Sequence, residues 1–222
     1  MTREAPQVRA AVLVSGSGSN LQAIIDRQRN GFLNLELAVV LSDRPQAYGL
    51  VRAEQAGIDS LSVPASDFPD RASFDAAVLR HLDRYQPDLV LLAGFMRILT
   101  SQFVKRYEGR LLNIHPSLLP QYPGLHTHRR AIDAGERWHG CTVHYVSDIL
   151  DGGPRIIQGR VPVLPDDDEE RLARRVLAIE HRLYPEALRL ITEGRVRYAD
   201  GAAWLDGNRL DQPMQLQTSN LV

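Results

Sequence analysis

The chain has 222 residues, of which 44% are hydrophobic and 24% charged, with a formal net charge of −1. That balance is the one of an ordinary globular protein and argues against a nucleic-acid or polyanion surface. Cys141 is the only cysteine, no apolar run approaches the roughly 18 residues of a membrane helix, and the N-terminus lacks a signal pattern; a cytoplasmic protein in a reducing compartment is expected.

Val8 to Val14 predicts a strand, followed at once by Ser15-Gly16-Ser17-Gly18-Ser19-Asn20 and by a helical pattern from Leu21 to about Asn30. A second strand, Leu35 to Leu41, ends at Ser42-Asp43, and a helix from about Tyr48 to Gln55 stops on Gly57. Asp59 to Val63 is a short third strand. Apolar residues at Phe74, Ala77, Val78, Leu82 and Tyr85 predict a helix from Arg71 to Tyr85, and Leu89 to Ala93 is an apolar strand of the kind covered on both faces.

In Arg110 to Pro120 a strand carries Asn113 and His115 on one face and stops at Pro116, which cannot donate a ladder hydrogen bond. Beyond it come a Pro/Gly-bearing loop, Gln121 to Leu125, a helix over His126 to Glu136, and a strand over His139 to Val146. Asp148 to Pro154 is a turn-rich loop, made flexible by Gly152-Gly153, and Arg155 to Val163 a further strand. Asp166 to Glu170 opens a long helix to about Gly194, where acid favours the helix start, and Pro185 kinks or divides it. Ala203 to Gly207 is a hairpin candidate. The whole indicates an α/β, Rossmann-like fold over residues 1–210: a mostly parallel twisted sheet with helices on both faces, partly antiparallel in its C-terminal half. Residues 211–222 read as a polar tail, the last ten without a core of their own.

Sheets of this kind bind ligands at the carboxyl ends of their strands, which here are Ser15 to Asn20, Ser42-Asp43, Gly94 to Arg97 and His115 to Ser117. The first loop, with two glycines before a helix N-terminus, suits one phosphate; it lacks the third glycine of the dinucleotide fingerprint and the Gly-Lys-Ser/Thr of a Walker loop. A plain Gly/Ser turn is the competing account. His115 suits general acid–base work, since an unperturbed histidine side chain titrates at about 6.5, and Asn113 could stabilise an oxyanion; a hydrogen-bonded core pair is the competing account for these two. If the Asp148–Pro154 loop folds back, Asp151 meets His115, orients it and favours its protonated form. Ser117 lies beyond a proline turn and Cys141 inside a strand, so direct attack by the acceptor is expected, without an acyl-enzyme. His144 has a supporting place in the same region. Phe95 and Met96 serve as core or as ligand wall. His126, His128 and Cys141 are too loosely spaced for zinc, and no metal is expected.

Taken together, Ser15 to Leu21, Ala93 to Leu99, Asn113 to Pro120, Tyr122 to His128 and Leu150 to Pro154 resemble the phosphoribosylglycinamide formyltransferases, the folate-dependent family of purine synthesis, over about Val12 to Leu210. The resemblance implies transfer of a formyl group from 10-formyltetrahydrofolate, a cosubstrate, to the amine of 5-phosphoribosylglycinamide in IMP biosynthesis. It implies Asn113, His115 and Asp151 as the catalytic set. Gly18, Ser19, Asn20 and Glu180 would hold the ribotide, and Arg71, Met96, Arg97, Ile98, Leu99, Asn113, Ser147, Asp148 and Asp151 the folate. The ribotide half then runs to about residue 100 and the folate and catalytic half follows. Ser17 stands where relatives commonly have asparagine, and Leu177 where glutamine is frequent.

Small-molecule substrates are implied, with neither nucleic acid nor membrane as partner, and monomer and homodimer stay open. A 10-formyltetrahydrofolate hydrolase is the nearest alternative, but those proteins carry an extra N-terminal domain and Val8 already begins the sheet. A methionyl-tRNA formyltransferase would need an RNA-binding domain after Asp206. A non-catalytic phosphate-binding module is the alternative from another class.

Overall fold

A computed structural model describes residues 7–216. The chain forms two compact units that divide between Leu111 and Leu112. In the first, strands and helices alternate: β1 (Val8–Val14), α1 (Ser19–Arg29), β2 (Leu35–Ser42), α2 (Tyr48–Ala56), β3 (Ser60–Ser62), α3 (Arg71–Tyr85), β4 (Leu89–Leu92) and α4 (Ser101–Arg106). The strand order is β4-β1-β2-β3, and all three pairings are parallel. Ala10 to Val14 are fully buried, as a central strand covered on both faces must be. The six-residue α4 is not marked by the sequence pattern; Thr100 caps it by accepting from the Phe103 amide, and Phe103 and Val104 bury its apolar side.

The second unit is antiparallel where it begins. β5 (Leu111–His115) pairs antiparallel with β6 (Trp138–Tyr145), which pairs antiparallel with β7 (Arg155–Pro162). Between β5 and β6 lies α5 (Thr127–Asp133), and β7 leads into α6 (Glu169–Thr192). This helix runs through Pro185 as one element, so the expected division does not occur. Asp168 caps it by accepting from the Arg171 amide at 2.8 Å, and Glu169 and Glu170 occupy its first turn, which accounts for the acidic run. The buried face of α6 packs on β6 and β7 at close range: a Cβ on Gly159 would lie 2.3 Å from Ile179 Cγ2.

β8 (Val196–Ala199), β9 (Ala202–Leu205) and β10 (Asn208–Arg209) form a small antiparallel sheet, one strand more than the hairpin expected. The polar tail expected from residue 211 is in part structured. β11 (Met214–Gln215) pairs parallel with Ile157 and Gln158 of β7, and Pro213 is buried. Residues 217–222 of that expected tail lie outside the described residues. No helix is long and apolar enough to cross a membrane among the described residues.

Candidate active site

In the first unit the chain leaves β1 through Ser15, whose amide donates to Gly94 O at 3.1 Å and whose Oγ accepts from the Met96 amide at 2.9 Å. Two of the strand ends named from the sequence are thereby tied together. Gly18 follows at φ 67°, ψ 29°, a left-handed conformation, and a Cβ there would meet Gly49 Cα at 2.6 Å; only glycine fits. Helix α1 starts at this point without a side-chain cap and without an acidic residue in its first turn. At such a helix start the dipole favours an anion. Asn20 is buried and Ser19 half-buried there.

The proposed folate residues of this unit differ in exposure. Met96 and Ile98 are 64% and 57% exposed, which removes Met96 from the core, and Leu99 is half-buried. Arg97 lies over the Phe74 ring at 4.9 Å with Nη1 3.9 Å from the buried Asp43 carboxylate. Arg71 is the exposed first residue of α3.

In the second unit, β5 delivers Asn113 and His115 to one face, and the antiparallel register sets Asn113 opposite His144 and His115 opposite Thr142. The loop after β6 folds back as expected and brings Asp151 Oδ2 to 3.4 Å from His115 Nδ1, both side chains 8% exposed. His115 Nε2 lies 2.9 Å from the Tyr122 carbonyl oxygen. Both ring nitrogens therefore face oxygen atoms. Asp151 is itself at φ 51°, a position in which Asp is among the better tolerated residues. Its Oδ2 also accepts the Gly124 amide at 2.8 Å.

The turn at Tyr122–Gly124 thus supplies an acceptor to the histidine and a donor to the aspartate. Neither contact was marked by the sequence. Gly124 is at φ 78°, and Tyr122 at φ 54° is anchored by its hydroxyl, which donates to Glu136 at 2.7 Å. Beneath it, Thr142 Oγ1 donates to Ser117 O and accepts from the Leu119 amide, while Gln158 Nε2 donates to Leu119 O at 2.7 Å. These buried polar groups answer one another and hold the chain after His115 in one path.

His144 takes the supporting place expected of it. Its Nδ1 lies 2.8 Å from Tyr145 O, so Nδ1 carries the proton and Nε2 accepts from Asn113 Nδ2 at 3.2 Å. Burial pushes its pKa down to about 4, which keeps the ring neutral and preserves that acceptor. Asn113 gives one amide hydrogen to His144. In the carrying loop, a Cβ on Gly153 would lie 1.9 Å from Tyr145 O, and one on Gly152 would lie 2.5 Å from Ile149 Cγ2. The two glycines read from the sequence as a source of flexibility instead answer a steric demand. Ser147 closes a local contact with Ile149, Asp148 is exposed, Glu180 is buried on α6 and Leu177 half-buried one turn earlier.

The remaining histidines form no ligand set: among the described residues no three His, Cys, Asp or Glu side chains are gathered so that they could hold a metal ion. His128 and His139 instead meet edge to face, ring centres 5.2 Å apart, and burial lowers the pKa of both, His139 to about 4.

Residues 8–188 match the formyl transferase family. The chain is 51% identical to the phosphoribosylglycinamide formyltransferase of Escherichia coli K12 over 199 residues, 90% of this chain and 94% of that protein. It is 45% identical to the Haemophilus influenzae protein of the same name over 91% of this chain and 95% of that one. The solved phosphoribosylglycinamide formyltransferase of Coxiella burnetii superposes with a TM-score of 0.90 at 47% identity, covering 95% of this chain and 99% of that one. This chain belongs to the formyl transferase family, among the phosphoribosylglycinamide formyltransferases.

Proposed function

We propose that the chain transfers the formyl group of 10-formyltetrahydrofolate to the amine of 5-phosphoribosylglycinamide, in purine biosynthesis. The observation that carries the reading is the contact of His115 with Asp151 on the face of β5 that also bears Asn113. The amine nitrogen attacks the formyl carbon and the carbonyl oxygen becomes an oxyanion. The second amide hydrogen of Asn113 stabilises it, and His115 joins by exchanging its contact with Tyr122 O for the oxyanion. Collapse breaks the bond from the formyl carbon to the folate nitrogen. The amine loses one proton and the folate nitrogen gains one; Asp151 holds His115 in place and passes that proton on through water.

Gly18, Ser19 and Asn20 bind the ribotide phosphate through the uncapped start of α1, with Glu180 on the ribotide as well. Arg71, Met96 to Leu99 and the Ser147–Asp151 loop take the folate, the exposed Met96 and Ile98 offering apolar wall. The buried free thiol of Cys141 fits a cytoplasmic protein.

The test is product analysis with purified protein and 10-formyltetrahydrofolate, with and without 5-phosphoribosylglycinamide. Formylated ribotide is expected, and free folate only in step with it. Formate release independent of the ribotide would identify a hydrolase; absence of both reactions and of folate binding would leave a phosphate-binding module.

A further inference from the structure

The glycine loop is held from behind by the first two turns of α2. The Gly49 amide donates to Gly16 O at 3.0 Å, and Arg52 Nε donates to Ser17 O at 2.8 Å. Arg52 Nη1 donates to Gln22 Oε1 at 3.0 Å, and Gln22 Nε2 donates on to Asp26 at 2.8 Å. The guanidinium lies over the Tyr48 ring, 4.9 Å from its centre, which limits its orientations. Gly49 is required at this point as much as Gly18, since a Cβ on it would lie 2.8 Å from Val14 Cγ2.

Two carbonyls of the loop, Gly16 and Ser17, therefore point at α2. In a trans peptide the C=O and the following N–H point in opposite directions, so the amides of Ser17 and Gly18 are turned away from α2. Their direction is set by Gly49 and Arg52, and it is the direction an anion in the loop needs. The charge of Arg52 is also uncompensated: among the described residues no carboxylate pairs with it. By contrast Arg171, Arg174 and Arg175 at the start of α6 are each paired with an aspartate or glutamate. An arginine left without a counter-charge beside an uncapped helix start adds to the local positive potential.

We infer that Arg52 is a positioning residue for the phosphate monoester of the acceptor substrate: it fixes the loop amides through Ser17 O and supplies the unbalanced positive charge. The inference rests on the reading that the Gly18 loop takes the ribotide phosphate.

Titration calorimetry of the full chain with ribose 5-phosphate, with ribose as the neutral control, tests it. Wild type should bind the phosphorylated sugar, and Arg52→Ala should weaken that binding by roughly 10- to 100-fold, the range expected for a charged hydrogen-bonding group. Arg52→Lys, which restores charge without the fixed fork, should fall between the two. In steady-state assays Arg52→Ala should raise KM for 5-phosphoribosylglycinamide in proportion and leave KM for the formyl donor unchanged. Equal ribose 5-phosphate affinity in wild type and Arg52→Ala would overturn the inference. So would a wild type that does not bind it, or an equal rise in both KM values, which marks general loosening. Wild type that binds the phosphate but forms no formylated product would defeat the proposed reaction while leaving the role of Arg52 standing.

Discussion

In the loop after β1 the groups proposed to meet the phosphate are backbone amides: Gly18 is left-handed, α1 has no side-chain cap, and glycine meets glycine at Gly49. Around β5 the order is reversed. Asn113, His115 and Asp151 offer side chains, and the backbone serves as scaffold, through the Tyr122 carbonyl and the Gly124 amide. A phosphate keeps its charge throughout a reaction, so fixed dipoles are sufficient to bind it. A developing oxyanion and a moving proton need groups that donate, accept and change partner. Substitutions in the first region should therefore act on KM for one substrate, and those in the second on kcat.

The largest effect is expected at the His115–Asp151 contact. His115→Ala and Asp151→Ala should each lower kcat by roughly 100-fold or more, with circular dichroism unchanged. If either retains turnover near that of wild type, the assigned roles are wrong. Gly18→Ala should come next. It forces a left-handed alanine and a 2.6 Å approach to Gly49 Cα, so KM for the ribotide should rise by about 10-fold or more with kcat much less affected. A fall in kcat alone would place Gly18 in the chemistry and dissolve the contrast.

The polar scaffold of the second unit also carries a pH signature. His139 and His144 are held at about 4, below their ordinary 6.5, chiefly by burial, and His128 shifts in the same direction. In the folded protein they stay neutral where the unfolded chain would take up protons, so unfolding binds protons between about pH 6.5 and pH 4. Stability is full above 6.5 and declines as pH falls through that window. Asp70, Asp167 and Asp206, held below 3.8 by hydrogen bonds, act only beneath it. The thermal midpoint should drop on acidification, and His139→Gln should flatten the decline. An unaltered slope in that variant would remove His139 from the account.

How much of this was legible depended on whether a group has a sequence identity. Asn113 and His115 were marked because they interrupt an apolar strand before Pro116, and Asp151 because a carboxylate between turn residues stands out. His144 was marked by its place in a strand just before Asp148 and Asp151. The Tyr122 carbonyl and the Gly124 amide were not, since every residue has such groups and only the folded turn says which ones face inward. Gly153 was visible as a glycine, but its reason, contact with the Tyr145 carbonyl, is a distance. In the fold, alternation and periodicity marked the long elements. They missed six-residue α4, where periodicity has no room to show, and two-residue β11, whose pairing is decided by β7.

The smallest expected effect isolates the backbone contribution. Tyr122 serves His115 through its carbonyl, while its hydroxyl only braces the turn against Glu136 at 2.7 Å. Tyr122→Phe keeps the carbonyl, the ring and its contact with Arg130, 5.2 Å from the ring centre, and removes one hydrogen bond at a partly exposed site. The expected cost is about 1 kcal/mol of stability, with kcat within roughly 3-fold of wild type. Should kcat instead fall as far as in His115→Ala, the hydroxyl would belong to the chemistry. The turn would then count with the side chains of the site, and the division between a backbone-built and a side-chain-built region would have to be redrawn at Tyr122.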